Sequence, residues 1–290
     1  MNTNYYDFAP EKNKIEKGVL YLVATPVGNM ADISERALKI LNEADFVAAE
    51  DTRNSGKLLS GYGIKQSYVA YHEHNKAEAG QRIAERLLNG ETCALITDAG
   101  MPAVSDPGED LVKLCAEKGI KVTCAPGPCA FITALVLSGL NTRRFCFEGF
   151  LSARDGERKK TLEGLKDEDR TLIFYEAPHK LRTTLDDMLK IFGNRRIALC
   201  RELTKLNEDI IRTDLSSAVE LYRQKEPRGE YVLVLDGAMK KHSNDWADLT
   251  VEEHICFYVK EGLSKMDAIK KVAKERGVPK GEIYKLTVKG

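Results

Sequence analysis

The chain has 290 residues, enough for two ordinary domains. Lys and Arg number 44 and so do Asp and Glu, a balance that excludes a generally cationic nucleic-acid coat. Because no apolar run approaches the roughly 20 residues that span a bilayer, and the polar start lacks a signal-peptide core, we expect a soluble, cytoplasmic protein without a membrane partner.

The first part of the chain alternates strand-like and helix-like patterns. We interpret residues 1–17 as a flexible tail and 18–125 as an N-terminal α/β domain. Apolar, β-rich segments predict strands within 18–29, 46–53, 91–100 and 120–128. Apolar residues at helical spacing predict helices within 31–45, 79–90 and 108–119. This alternation indicates a mostly parallel sheet.

The second part of the chain predicts another α/β domain, over 126–240. Helices are predicted within 129–140 and 179–193, and strands within 144–151, 170–178, 195–203 and 230–237. A basic helical extension of two or three short helices is expected over 245–290, where nine Lys or Arg face four Asp or Glu from Lys260 onward. The predicted fold class is therefore α/β: two consecutive α/β domains with a cleft between them, plus a small C-terminal helical segment.

Unusual polar, Pro and Gly residues follow five of the predicted strands. The longest such loop, 98–108, is longer than a chain reversal needs, and its Gly100 would let a ligand approach the backbone. A purely structural turn is the alternative interpretation. Since ligands bind beyond the carboxyl ends of strands in α/β sheets, we expect the five ends to form one cleft. The other four ends are 25–29, 50–53, 176–180 and 201–205.

These loops match neither of the common phosphate-binding motifs, G-x-G-x-x-G and the Walker pattern. The pair His72 and His74 lacks a third ligand nearby, and the seven cysteines are scattered without a C-x-x-C pair. We therefore predict no metal site and a small ligand that is partly polar and partly apolar. The acidic and basic side chains of 50–53 could position a polar substrate, or form a solvated salt-bridged turn.

Basic side chains cluster in the second half of the chain. A charge cluster is usually a solvated face, but this distribution also predicts a phosphate-binding surface whose RNA binding depends on salt. No aromatic-rich RNA-stacking motif accompanies it. The clustered residues are Arg154, Arg158, Lys159, Lys160, Lys180, Arg195 and Arg196.

Eight segments resemble, in order and spacing, the small-subunit ribosomal RNA methyltransferase I family. This is a branch of the tetrapyrrole methylase superfamily, the class III S-adenosylmethionine methyltransferases. The resemblance spans about Gly18 to Gly237, and the basic tail is also similar. The segments are LYLVATPVGNMADISERAL, AAEDTR, HEHN, ITDAGMPAVSDPG, APGPCAFITALVLSGL, FEGFL, FYEAPHKL and CRELTKLNE.

The resemblance implies a homodimer with S-adenosyl-L-methionine in the interdomain cleft. It implies 2′-O-methylation of a cytidine ribose in the decoding region of small-subunit (16S) ribosomal RNA, with the rRNA or the 30S subunit as partner. Met101 stands where relatives are expected to have Thr, and Cys129 where Ser is expected, so a hydroxyl contact there is in doubt. The implied cofactor-binding residues are Pro26, Ala99, Gly100, Met101, Cys129, Ala130 and Glu176.

Transfer to a ribose hydroxyl calls for a base or a cation near the cleft. Our hypothesis is that Arg53 and Lys205 hold ribose or phosphate while Asp51 or Glu202 helps to remove the proton. The sequence does not choose the general base. Residues assigned to substrate binding are His74, Asn75, Arg154, Arg158 and Lys180.

Two other functions stay open at this point. A tetrapyrrole C-methyltransferase would share the cofactor and the fold, although the basic clusters favour RNA over a porphyrinoid. A non-catalytic RNA-binding ribosome-assembly factor would bind RNA without the cofactor, and the intact loops 25–29 and 98–102 argue against it.

Overall fold

A computed structural model describes residues 14–239 and 249–287, with side chains as far as Tyr284. Most of the predicted tail, residues 1–17, lies outside these residues. The described residues form two compact units, the first ending at Ala238 and the second starting at Met239. The first unit contains both predicted α/β domains, and the boundary between them at 125 and 126 stays a prediction. None of the helices in the described ranges is long and apolar enough to cross a membrane.

The first sheet is entirely parallel, with strand order β3-β2-β4-β1-β5. Helices α1 and α2 pack on one face, and α3 and α4 pack on the other. Since both faces are covered, its central strands are continuous apolar runs rather than alternating ones. The elements are β1 (Val19–Val23), α1 (Glu35–Glu43), β2 (Phe46–Ala49), α2 (Thr52–Gly61), β3 (Tyr68–Ala70), α3 (Lys76–Leu88), β4 (Cys93–Ile96), α4 (Glu109–Glu117) and β5 (Lys121–Ala125).

The second sheet is mixed, with strand order β6-β7-β10-β8-β9. Only β6 and β7 pair in parallel, and the other three pairings are antiparallel. Helices α6, α7 and α8 contribute to the core on one face, and α5 covers the other. The elements are α5 (Ala130–Ser138), β6 (Phe145–Phe150), α6 (Asp155–Gly164), β7 (Thr171–Glu176), α7 (Pro178–Phe192), β8 (Arg196–Arg201), β9 (Asp209–Asp214), α8 (Leu215–Gln224) and β10 (Tyr231–Leu235).

The second unit consists of three short helices, as the sequence predicts: α9 (Val251–Lys260), α10 (Lys265–Arg276) and α11 (Lys280–Thr287). Thr250 and Glu253 form a capping box at the start of α9, which satisfies backbone N–H groups that the helix leaves unpaired. The small core between the helices includes Ile255, Ile269 and Val272. With the two sheets, these helices confirm the predicted fold class.

Strand direction brings the functional loops together. All five strands of the first sheet run the same way, so their carboxyl ends lie at one edge. In the second sheet β7 and β8 both run antiparallel to β10, so the ends of β7 and β8 meet the start of β10. There Tyr231 pairs with both Glu176 and Arg201. This register places three loops of the second sheet beside one another.

Candidate functional site

A cavity of about 440 Å³ lies between these loop edges of the two sheets. Its volume falls in the range of pockets that enclose small molecules and cofactors. The first sheet contributes the loops after β1, β4 and β5, and the second contributes the ends of β6, β7 and β8 and the start of β10. The lining residues are Val27, Asp98, Ala99, Gly100, Met101, Val104, Ser105, Asp106, Cys129, Ala130, Phe150, Tyr175, Glu176, Ala177, Pro178, Cys200, Leu203, Lys205, Glu230, Tyr231 and Val232.

Two backbone hydrogen bonds connect the loop after β4 to the loop after β1. Thr25 N–H donates to the Gly100 carbonyl at 2.9 Å, and Gly100 N–H donates to the Thr25 carbonyl at 3.1 Å. Gly100 has φ +82°, a conformation that glycine adopts without steric cost. A Cβ on Gly100 would lie 3.5 Å from Val27 Cγ2 and 3.8 Å from the Pro128 carbonyl oxygen, in the gap between the β1 and β5 loops. The glycine therefore keeps the backbone open at the cavity wall.

Two contacts link the halves of the first unit beside the cavity. The Thr204 hydroxyl donates to the Val27 carbonyl at 2.6 Å. A Cβ on Gly28 would lie only 2.4 Å from Lys205 Cγ, so the glycine permits the lysine stem to cross at this point. The Lys205 ammonium ends between Glu202 and Glu230, at 2.9 and 2.8 Å. These contacts hold Lys205 at the cavity wall with its charge already balanced.

All four non-glycine residues with positive φ in the described chain lie in two loops next to the cavity. They are Ala103, Ser105, Glu202 and Thr204, with φ between +51° and +66°. Each such residue costs about 1–3 kcal/mol and persists only where the surroundings enforce it. This concentration of backbone strain is typical of binding and catalytic sites.

Six of the seven predicted cofactor-binding residues line the cavity: Ala99, Gly100, Met101, Cys129, Ala130 and Glu176. Pro26 is buried beside Val27, which lines the cavity in its place. The fully buried Glu176 carboxylate accepts hydrogen bonds from its neighbour Ala177 N–H at 2.8 Å and from the Thr184 hydroxyl at 2.5 Å. It also pairs with the Lys180 ammonium at 3.1 Å. Glu176 is thus held at the cavity wall by three partners.

Of the predicted catalytic residues, only Lys205 lines the cavity. Asp51 caps α2, accepting hydrogen bonds from Arg53 N–H and Asn54 N–H. Hydrogen bonds from the Arg53 side chain and backbone lower the Asp51 pKa to about 2, which makes it a weak base. The Arg53 side chain is 87% exposed. Asn54 donates to the Asp98 carboxylate at 3.0 Å, so the start of α2 adjoins the cavity rim.

Glu202 lies behind Lys205 rather than in the cavity lining. The Glu230 N–H donates to its carboxylate at 3.0 Å, and this hydrogen bond is the main reason that its pKa is lowered. Gly229 has no room for a side chain, because a Cβ there would lie 2.6 Å from the Glu202 carboxyl carbon. Glu202 therefore organises the turn and positions Lys205.

The predicted substrate-binding residues do not converge on the cavity. His74 is exposed, and Asn75 braces its own loop by bonding the His72 N–H and the Ala70 carbonyl. Arg154 is 83% exposed and pairs with Glu157. Lys180 donates to the Leu151 carbonyl and pairs with Glu176.

The structure does not support the prediction that Arg158 binds substrate. Its side chain is only 6% exposed and forms a 2.8 Å ion pair with Asp187, which is 5% exposed. Its position on α6 turns it toward α7 and away from solvent. The charge cluster in the sequence did not distinguish this buried cation from its exposed neighbours.

Besides Glu230, two carboxylates that the sequence interpretation did not assign line the cavity, Asp98 and Asp106. Both lie in the loop 98–108 that the sequence singled out. No group of three or more His, Cys, Asp or Glu suited to a metal ion occurs among the residues that the structure describes. The loop therefore brings two carboxylates to the cavity wall.

The residues present fit S-adenosylmethionine. The cavity is lined by residues 98–101 and 129–130 and by apolar residues that include Val104, Leu203 and Val232. The opening kept by Gly100 admits a ligand against the main chain. Such a surface suits the polar edges and the apolar body of an adenosyl group.

Comparison with known proteins gives a consistent result. Residues 19–219 match the family model described as Tetrapyrrole (Corrin/Porphyrin) Methylases. The chain is similar to the ribosomal RNA small subunit methyltransferase I of Halalkalibacterium halodurans, with 47% identity over 93% of this chain and 95% of that one. It is 44% identical to the protein of the same name from Bacillus subtilis, over 93% and 94% of the two chains.

Solved structures share the fold. A cobalt precorrin-4 methyltransferase of cobalamin biosynthesis aligns with a TM-score of 0.56 and 17% identity, over 76% of this chain and 95% of that one. A uroporphyrin III C-methyltransferase from Thermus thermophilus aligns with a TM-score of 0.54 and 17% identity, over 75% and 96%. At these identities the likeness establishes the fold and not the substrate.

Proposed function

The chain belongs to the tetrapyrrole methylase family, and from that premise we propose that it is an S-adenosylmethionine-dependent ribosomal RNA methyltransferase. The acceptor we propose is the ribose 2′-hydroxyl of a cytidine in the decoding region of small-subunit rRNA. Relatives named ribosomal RNA small subunit methyltransferase I, 44–47% identical over 93% of the chain, support RNA as the substrate class. The expected homodimer and cytoplasmic location stay predictions.

The observation that carries the proposal is the cavity between the two sheets, lined by Gly100 and its neighbours and by apolar residues such as Val104, Leu203 and Val232. We propose that the backbone of Ala99 to Met101 and of Cys129 to Ala130 holds the cofactor. When bound, S-adenosylmethionine supplies a methyl group activated by its sulfonium sulfur. The Met101 and Cys129 side chains leave this role intact if recognition is through the main chain.

The residues of the chain would align the two reactants and supply charged groups that hold the RNA. Holding two reactants in line can supply about 7–11 kcal/mol of the barrier reduction. The rigid loop pair at Thr25 and Gly100 and the cross-link from Thr204 to Val27 support such alignment. Arg53 is exposed at the cavity rim, where its guanidinium can bind a phosphate or ribose oxygen of the RNA. We retain Arg53 and Lys205 as substrate-positioning residues on this basis.

Replacing Arg53 with alanine should reduce the methylation rate on small ribosomal subunits by about 10- to 100-fold, the effect of losing one charged hydrogen bond. Affinity for S-adenosylmethionine, measured by calorimetry, should stay within about threefold, since Arg53 does not line the cavity. Arg82→Ala is the matched control, because Arg82 lies on α3 with its side chain 60% exposed. A rate unchanged in Arg53→Ala, or one reduced equally in both variants, would remove Arg53 from the substrate site.

A further inference from the structure

Four carboxylates line the cavity, and three of them already have a hydrogen-bond or ion-pair partner within the chain. Asp98 accepts from Asn54, Glu230 pairs with Lys205, and Glu176 accepts from Thr184 and pairs with Lys180. Within the described ranges, Asp106 alone of the four has neither a hydrogen-bond partner nor an ion-pair partner. A group that removes a proton needs a lone pair that is not already engaged, and the carboxylate oxygens of Asp106 offer one.

The backbone around Asp106 is held in a constrained conformation. Ala103 and Ser105 are left-handed, with φ +66° and +63°. A Cβ on Gly108 would lie 2.9 Å from the Ala103 Cβ, so the loop closes tightly on itself. From the second sheet, a Cβ on Gly149 of β6 would lie 2.8 Å from the Ser105 hydroxyl oxygen. The strained loop is thus packed from both sides and presents Asp106 at a fixed place.

The surroundings of Asp106 favour its neutral form. Burial, followed by repulsion from Glu50 and then from Asp98, raises the Asp106 pKa to about 6. Glu50 follows β2 and Asp98 follows β4, and Tyr175 of β7 is the other titratable side chain close enough to interact. A carboxylate in this environment is a stronger base than an ordinary aspartate yet is largely ionised at neutral pH.

We infer that Asp106 is the general base that accepts the proton of the ribose 2′-hydroxyl. This inference rests on the proposed function and replaces Asp51 and Glu202, which are held by hydrogen bonds and lie outside the cavity lining. The hydroxyl proton passes to a carboxylate oxygen of Asp106, and the hydroxyl oxygen forms the new bond to the methyl carbon. The bond from that carbon to the donor sulfur breaks, and its electron pair stays on sulfur.

The first test is Asp106→Asn, which keeps the shape and removes the basic oxygen. The single-turnover methylation rate on unmodified small subunits should fall by about 10²- to 10⁴-fold, the range for loss of a general base. Affinity for S-adenosylmethionine should change by less than about threefold. Asp106→Glu should recover part of the rate. Asp110→Asn is the control, since Asp110 lies nearby on α4, exposed and paired with Lys76, and its rate should not change.

Thermal stability distinguishes a catalytic from a structural Asp106. Since the raised pKa means that the charged form is disfavoured on folding, Asp106 destabilises the fold at pH 7.5, above both its folded and unfolded pKa values. Asp106→Asn should therefore melt at the same or a higher temperature than the parent chain. A fall of several degrees would mark a structural residue and overturn the inference.

The pH profile gives an independent readout. The single-turnover rate of the parent chain should fall with unit slope below about pH 6, because protonated Asp106 cannot accept a proton. Glu50→Gln removes the charge that repels Asp106 most strongly and should shift this limb to lower pH. If the limb persists in Asp106→Asn, or does not move in Glu50→Gln, Asp106 is not the base. Failure of the parent chain to methylate rRNA at all would instead refute the proposed function.

Discussion

Asp187→Ala should lower the free energy of unfolding by about 3–5 kcal/mol, the largest stability effect we expect from a single polar substitution. The change leaves the buried Arg158 guanidinium with only Asp155 as a charged partner, and Asp155 is 64% exposed. Removing one member of a buried ion pair costs far more than the pair contributes, because the remaining charge keeps its desolvation penalty. Urea unfolding followed by circular dichroism measures the loss.

Two control variants isolate the ion pair. Arg154→Ala removes an exposed cation from the start of the same helix, and its cost should stay below about 1 kcal/mol. The double change Arg158→Met with Asp187→Leu replaces both charges by apolar groups and should recover most of the lost stability. Two results together would return Arg158 to the substrate site. The free energy of unfolding would fall by less than about 1 kcal/mol in Asp187→Ala, and the double variant, which lacks Arg158, would bind RNA more weakly than the parent chain.

Gly100→Val should abolish measurable binding of S-adenosylmethionine, a loss of at least about 100-fold in affinity. A β-branched residue at φ +82° is strongly disfavoured, so the loop must move. Its side chain would also enter the gap between Val27 and Pro128 where the cavity opens. Isothermal titration calorimetry with the purified chain measures the affinity directly.

Gly119→Val separates backbone strain from obstruction of the cavity. Gly119 has φ +69° in the turn before β5, and a Cβ there meets nothing within 4 Å. This variant should lose stability but keep its cofactor affinity. Equal affinity losses in the two variants would show that general destabilisation, and not the wall formed by residues 99–101, causes the effect.

The periodicity of the sequence was sufficient to predict most of the first sheet. Its central strands are continuous apolar runs, and the α1 and α3 stripes recur at helical spacing. The charged stretch 50–53 did not show where the helix after β2 begins. Asp51 is the N-cap and Thr52 is already the first residue of α2. Strand β9 was missed, since it is a half-buried edge strand with mixed polar residues and so lacks a clear alternation.

The site could be predicted only in part, for a reason of topology. The segments 98–101 and 129–130 carry Gly and small residues and adjoin Pro102 and Pro128, a composition that pointed to ligand-binding backbone, and they do line the cavity. Strand direction in the second sheet is set by long-range pairing, so no local pattern showed that Tyr231 would pair with Glu176. Burial likewise separates Arg158 from Arg154, although both belong to one basic stretch.

The most direct test of the proposed function is methyl transfer to the substrate itself. Purified protein would be incubated with S-adenosylmethionine labelled on its methyl group and with small ribosomal subunits that lack the modification, and the label would be mapped in the rRNA. The proposal predicts one labelled 2′-O-methylcytidine in the decoding region. Label confined to a tetrapyrrole acceptor, or rRNA left unlabelled while calorimetry shows bound cofactor, would contradict it.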